Sequence, residues 1–91
     1  MIEKYIKLNS GLVKLKQQDY ISVQMNTDND FHMTESNLSE RGTFIDAFPT
    51  NYGNDLLILY KDDFNNLKRV IVTFANYNIS ISSPYIIYNF S

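Results

Sequence analysis

Short strand-like runs separated by turn residues are the feature that most constrains how this chain can fold. Ile21, Val23 and Met25 alternate with polar residues, which is typical of a strand with one buried face. Val13 and Leu15 alternate with lysines in the same way. Turn residues recur about every ten positions, which leaves room for roughly seven short strands. This pattern predicts a mainly β fold, namely a small antiparallel sandwich or barrel.

The same pattern predicts which runs pair. The polar residues 17–19 can turn a hairpin between the first two runs, and residues 20–26 are expected to pair with 31–36 across the turn at 27–30. Residues 56–60 and 68–75 are mostly apolar without alternation, which predicts a central hairpin covered on both faces. Strand 79–82 and a final aromatic strand at 85–90 follow, separated by Pro84, which cannot donate to a sheet.

Helix is predicted at two places at most, residues 1–8 and 37–48. Asn37 and Glu40 resemble a capping box, and Leu38, Ile45 and Phe48 would share one helical face with Arg41. Gly42 and Thr43 weaken this helix, so a strand at 43–48 fits about equally well. If the helix forms, an α+β fold with one helix packed on an antiparallel meander is the alternative. In either case 91 residues are expected to form one domain, 1–91.

Few residues of the chain suit catalysis or metal binding. The chain has no cysteine, and a catalytic triad would depend on its single histidine, His32. Asp28, Asp30 and His32 could share one face of a strand and bind a divalent cation. However, this segment lacks the glycine and glutamate of a calcium-binding loop, so it is more typical of a turn. Asp62 and Asp63 are adjacent and would point to opposite sides of an extended chain. We therefore expect no catalytic residues, no metal, no cofactor and no enzymatic activity.

The formal charge of −2 conceals an uneven distribution along the chain. Residues 1–16 sum to +3, residues 17–63 to −7 and residues 64–91 to +2. A sequence pI of about 5.1 without a basic cluster argues against direct binding of nucleic acid. The acidic segment instead predicts a basic partner protein, such as one that handles nucleic acid, which the chain would inhibit or regulate stoichiometrically. The candidate contacts are its acids and two aromatic residues: Asp28, Asp30, Glu35, Glu40, Asp46, Tyr52, Asp62, Asp63 and Phe64.

The aromatic C-terminal strand supports an alternative function. Tyr85, Ile87 and Tyr88 are predicted to form a sheet edge through which two copies pair, as in a homodimer or a virion or tail component. The Asn-, Tyr- and Ile-rich, cysteine-free composition resembles accessory proteins of AT-rich bacteria or their phages, a likeness that assigns no residue roles. No apolar run suits a membrane span or an export signal, so we expect a cytoplasmic protein without membrane contact.

Overall fold

The computed structural model of the chain describes residues 3–26, 33–75 and 78–91, and these form two antiparallel sheets without a helix. The first sheet has the strand order β1 (Glu3–Leu8), β2 (Gly11–Gln17), β3 (Ile21–Asn26) and β4 (Met33–Asn37). The second has the order β5 (Thr43–Thr50), β6 (Asp55–Lys61), β7 (Asn66–Ala75) and β8 (Asn78–Ile81), and β9 (Tyr85–Asn89) also pairs with β7. The predicted mainly β fold is confirmed, in its sandwich form.

The hairpins expected from alternation are present. β2 pairs with β3, β3 with β4 and β6 with β7, each in antiparallel register. The structure corrects one detail of the central hairpin, because β6 is not covered on both faces. Leu56, Ile58 and Tyr60 are fully buried, whereas Leu57 and Leu59 on the opposite face are only half-buried.

Neither of the two possible helices is present among the described residues, and the strand alternative at 43–48 is confirmed, so the α+β fold does not form. The described part of segment 1–8 is strand β1, and segment 37–48 is a short connection followed by strand β5. The backbone N–H of Leu38 donates to the carbonyl of Ile21 at 2.9 Å, which continues the β3–β4 pairing instead of starting a helix. Ile45 and Phe48, which would share the buried helical face, are exposed on a strand that contains a β-bulge between Phe44 and Asp46.

Alternation within the strands builds one core between the two sheets. Apolar side chains from both inner faces fill it: Ile6, Leu8, Val13, Leu15, Ile21, Val23, Met25, Leu38, Ala47, Leu56, Ile58, Tyr60, Val70 and Val72. The sheets approach each other at both sides, where β1 lies near β5 and β4 near β8. Gln17 joins them at one side, because its Oε1 accepts the N–H of Phe44 at 2.6 Å and its Nε2 donates to the carbonyl of Gly42 at 2.9 Å.

Strands β8 and β9 share one edge of β7. β8 lies opposite residues 72–75 and β9 opposite residues 66–69, with Ser82–Pro84 between them. Ser82 bridges this break, since its Oγ accepts the N–H of Ile71 at 2.8 Å and its own N–H donates to the Ile71 carbonyl at 2.9 Å. Within β9, Tyr88 opposes Leu67 and Ile86 opposes Lys68, so Ile87 is the extra residue of a bulge.

Candidate functional site

A cluster of polar side chains is partly enclosed where β6 turns into β7. Lys68 lies at its centre, with Nζ 2.8 Å from Asp62 Oδ2 and 2.8 Å from Glu40 Oε2. The hydroxyl of Tyr60 donates to Glu40 Oε2 at 2.5 Å. We call these residues, together with Asn66, the Lys68 cluster. Its placement follows from β7, because Lys68 occupies the same inward-facing row as Val70 and Val72 and therefore needs anionic partners.

Asp62 also shapes the turn itself. Its Oδ1 accepts the backbone N–H groups of Phe64 and Asn66, both at 2.9 Å, and its Oδ2 accepts from Asn66 Nδ2 at 3.0 Å. Asn65 adopts the left-handed conformation at φ 63°, which asparagine tolerates better than most residues. A carboxylate that accepts several local N–H groups fixes a tight turn in one conformation.

Within the cluster, Asp62 and Lys68 keep their charges and Tyr60 keeps its proton over a wide pH range. Burial of Asp62 opposes ionisation, but hydrogen bonds from Lys68, Asn66 and Phe64 outweigh it and hold the pKa of Asp62 well below its usual range. The hydrogen bonds to Asp62 and Glu40 raise the pKa of Lys68. Burial, and then the contact with Glu40, raises the pKa of Tyr60 far above its usual range. Asp62, Lys68 and Tyr60 therefore do not exchange protons near neutral pH, which suits a structural role rather than acid–base catalysis.

The predicted acidic contact residues have different environments in the structure. Asp62 is only 5% exposed, because its carboxylate is used inside the Lys68 cluster, so little of this side chain is available for the predicted surface contact. Glu40 belongs to the same cluster, on the connection between the two sheets. Asp46 pairs with Lys4 at 2.8 Å, and this hydrogen bond, with that from the N–H of Ala47, lowers its pKa. Glu35 accepts a hydrogen bond from Gln24 on the neighbouring strand.

The two predicted aromatic contacts are not neighbours. Tyr52 is 97% exposed in the β5–β6 turn, and Phe64 is 77% exposed in the β6–β7 turn. These turns lie at opposite ends of β6, so about seven residues at roughly 3.3 Å each separate them. Of the predicted acids, Asp63 is next to Phe64 in sequence and is exposed. Asp28 and Asp30, and with them the suggested cation-binding turn, lie outside the described residues.

An apolar surface lies instead along β9 and the adjacent β6–β7 turn. Every residue of β9 is exposed, and its four apolar side chains are each 45–59% exposed. Phe90 and Phe64 extend this surface, which we call the apolar strip: Phe64, Tyr85, Ile86, Ile87, Tyr88 and Phe90. The predicted edge residues Tyr85, Ile87 and Tyr88 are therefore together on an exposed strand.

Hydrogen bonds hold the apolar strip to the body of the sheet. Asn89 Nδ2 donates to Asn66 Oδ1 at 2.7 Å and to the carbonyl of Phe64 at 3.3 Å. The N–H of Phe90 donates to the carbonyl of Asn65 at 2.9 Å. The rings of Tyr88 and Phe90 pack edge to face with centroids 5.1 Å apart. The strip is thus anchored at the turn that the Lys68 cluster fixes.

Strand β9 is also an uncharged edge of the second sheet, unlike the edge strands β1 and β5. β1 has charged residues at Glu3, Lys4 and Lys7, and β5 has Asp46 and Pro49. Charges and prolines on edge strands discourage pairing with another chain. β9 has the sequence YIIYN and no charge, although its bulge at Ile87 and Pro84 before it limit how a new strand can pair.

A groove adjoins the beginning of β9. It has a volume of about 410 Å³ and lies between the end of β4 with its following residues and the break between β8 and β9. The described residues that line it carry no charge: Ser36, Asn37, Ser39, Ile81, Ser82, Ser83 and Pro84. Among the described residues, no group of three or more His, Cys, Asp or Glu is arranged to hold a metal ion.

The Lys68 cluster was not predicted from the sequence. Asp62 and Asp63 look alike in the sequence, and only the folded chain separates the buried carboxylate from the exposed one. One signal was present: Lys68 lies in the alternating row of Asn66, Val70 and Val72, where an inward charge requires a partner.

Within the described residues, no helix is long and apolar enough to cross a membrane. Comparison of the chain with models of protein families, with curated proteins and with solved structures found no match.

Proposed function

We propose that this chain is a protein-binding module without catalysis of its own, and that it contacts its partner through the apolar strip. The observation that supports this is the uncharged strand β9 at an edge of the second sheet, in which every residue is exposed. An added strand would gain backbone hydrogen bonds along this edge, and its side chains would cover the exposed aromatic and aliphatic groups.

The size of the exposed apolar surface supports the same proposal. Tyr85 and Tyr88 lie opposite Arg69 and Leu67 on one face of the sheet, where Phe90 packs against Tyr88; at roughly 150–250 Å² per aromatic side chain, these three together expose about 260–435 Å². The largest apolar patch of a monomeric protein is typically about 300–600 Å² and is often functional. Tyrosines that are rigidly placed at the centre of such a surface are the residues that commonly dominate binding energy.

The acidic residues take a secondary part in this proposal. Asp62 is buried and Glu40 and Asp46 have internal partners, whereas Asp63 is exposed beside Phe64, where it could meet a partner at the apolar strip. In its more specific form, the proposal is that the chain inhibits or regulates a basic protein stoichiometrically, as a phage-like accessory protein in the cytoplasm. In that version the acidic charge would speed encounter rather than supply affinity.

The proposal can be tested by placing a photo-reactive phenylalanine analogue at position 88 and, separately, at position 5. Tyr88 is 59% exposed on the apolar strip and Tyr5 is 57% exposed on β1, so the two positions are matched in residue type and exposure. Illumination in the producing cells is expected to give discrete covalent adducts from position 88 and not from position 5. Equal adducts at both positions, or none at position 88, would contradict the proposal.

A further inference from the structure

The outward-facing side of the second sheet carries apolar side chains on several neighbouring strands. β6 places Leu57 and Leu59 on this side and β7 places Leu67 and Ile71 there, because the residues that alternate with them point inward. These four side chains are half-buried by their neighbours in the sheet. Phe48 lies opposite Leu57 on β5 and is 42% exposed. The sheet therefore presents an apolar outer side that continues beyond β9.

Arg69 lies in the middle of this outer side. It is opposite Leu59 on β6 and opposite Tyr85 on β9, and Leu67 and Ile71 flank it along β7. We call these five residues the Arg69 face. The guanidinium carbon lies 4.8 Å from the centroid of the Tyr85 ring. Within residues 3–26, 33–75 and 78–91, no carboxylate lies within ion-pair distance of the Arg69 guanidinium.

We infer that the partner protein covers the Arg69 face together with the apolar strip, and that it does so with an apolar segment in which one Asp or Glu carboxylate pairs with Arg69. This inference rests on the proposed function and names the chemistry of its partner. The two surfaces are continuous, because Tyr85 belongs to both and Tyr88 lies opposite Leu67.

The charge of Arg69 determines which partner fits. Covering the Arg69 face removes water from the guanidinium, and a buried charge without a counter-charge is costly. The Tyr85 ring stabilises the cation but supplies no negative charge to neutralise it. A carboxylate does, and its two oxygens match the paired N–H groups of a guanidinium. A wholly apolar segment would leave the charge of Arg69 uncompensated.

The same charge disfavours other occupants of the Arg69 face. In a second copy packed on it about a two-fold axis, the two Arg69 guanidinium groups would approach each other and repel. A segment with Lys or Arg at its centre would be repelled in the same way. A partner that is basic overall still fits, provided that its contact segment carries the carboxylate.

Selection of short random peptides displayed on phage against the purified chain tests the chemistry of the partner. We expect the enriched peptides to share an Asp or Glu between apolar residues. Arg69→Glu should reverse this preference, so that Lys or Arg is enriched at the same place. Arg41→Glu is the matched control, because Arg41 lies on the connection between the sheets and pairs with Asp19, and it should leave the preference for Asp or Glu unchanged.

A double-mutant cycle on one enriched peptide then locates the ion pair. Arg69→Gln should raise the dissociation constant, measured by fluorescence anisotropy, by roughly thirtyfold or more, and so should replacing the peptide carboxylate by its amide. Both changes together should weaken binding little more than either one alone. Arg69→Lys keeps the charge and should weaken binding less than Arg69→Gln. Urea unfolding confirms that each variant is folded.

A photo-reactive phenylalanine analogue at position 48 tests whether the partner covers the outer side of the sheet in the producing cells. Position 48 should give an adduct with the same protein as position 88. Position 20 is the control, because Tyr20 has a similar exposure of 41% but lies in the β2–β3 turn of the first sheet, and it should give none.

The outcomes separate this inference from the proposed function. Enriched peptides without a carboxylate, or equal binding by the natural chain and Arg69→Gln, would overturn the pairing of a carboxylate with Arg69. Adducts from position 88 without adducts from position 48 would overturn the covering of the Arg69 face and leave the proposed function standing. A lack of adducts from position 88 would contradict the proposed function itself.

Discussion

Replacing Asp62 by Asn removes one charge from the Lys68 cluster while almost preserving the shape of the side chain. Asp62 accepts hydrogen bonds from the backbone of Phe64 and Asn66 and from the side chains of Asn66 and Lys68. An asparagine retains one acceptor oxygen for the two backbone groups, but its amide would face the donors of Asn66 and Lys68. The turn should therefore persist, while the ion pair is lost.

The magnitude follows from what Lys68 retains. Removing one partner of a buried ion pair generally costs about 3–5 kcal/mol, because the remaining charge is left without compensation. Here Lys68 keeps Glu40 Oε2 at 2.8 Å, so the remaining charge is still partly neutralised. We expect the free energy of unfolding to fall by about 2–3 kcal/mol at pH 7, which corresponds to a decrease in Tm of roughly 10–20 °C for a domain of this size.

The matched control is Asp63→Asn, which removes the same charge from the exposed neighbouring position. It should change the free energy of unfolding by less than about 0.5 kcal/mol. Urea unfolding at pH 7, followed by circular dichroism, gives both values, and an unchanged m-value would show that the denatured state is comparable. Equal destabilisation by the two substitutions would refute the structural role of Asp62.

The pH dependence gives a second test of the same reasoning. Because the folded protein holds the pKa of Asp62 below its ordinary value of 3.8, the ionised carboxylate contributes stability above that pH. This contribution is lost as the pH falls through the lowered value. The difference in free energy of unfolding between the natural chain and Asp62→Asn should therefore be full at pH 7 and shrink below about pH 4. A difference that stays constant down to about pH 2 would contradict this.

Two further substitutions, one in the Lys68 cluster and one beside it, have defined outcomes. Tyr60→Phe removes the hydroxyl that donates to Glu40 and should lower the free energy of unfolding by about 1–1.5 kcal/mol in urea titrations, whereas Tyr52→Phe should not. In alkaline absorbance titrations up to about pH 11, Tyr60→Phe should leave the number of ionising tyrosines unchanged, because Tyr60 itself stays protonated there. Gly42→Ala would place a methyl group 2.5 Å from the Tyr60 ring and should lower the free energy of unfolding by about 1–3 kcal/mol in the same assay. Ser39→Ala, in the same connection, is the control and should be nearly neutral. A neutral Gly42→Ala would mean that the Tyr60 ring moves freely.

Much of the fold could be predicted because most strands pair with the strand next to them in the sequence. The alternation at Ile21, Val23 and Met25 fixes which face of β3 is buried, and short polar turns bring neighbouring strands together. The region 37–48 could not be resolved in this way. Leu38, Ile45 and Phe48 have helical spacing, but Leu38 is buried while Ile45 and Phe48 are exposed, and only the sheet contacts decide between helix and strand.

The candidate binding surface could be predicted in part. An aromatic strand after Pro84 is visible in the sequence, and so is its lack of charge. The position of Phe64 beside that strand depends on β9 returning along β7, which no local pattern specifies. The acidic residues can be counted in the sequence, but their internal partners could not be predicted from it. Asp46 pairs with Lys4 on a distant strand, and Asp62 pairs with Lys68 across a turn.

The order of the strands has a consequence for how quickly the chain reaches its folded state. Along the first sheet, and along the second as far as β8, each strand pairs with the one before it, so short hairpin closures build most of both sheets. Longer loops close only when β9 returns to β7 and when the two sheets dock through the connection after β4. Folding rates rise as contacts become more local, and sandwiches with many non-local pairings fold in milliseconds to seconds. This chain should therefore refold near the fast end of that range, and residues of the β6–β7 hairpin should be structured before those that join the sheets.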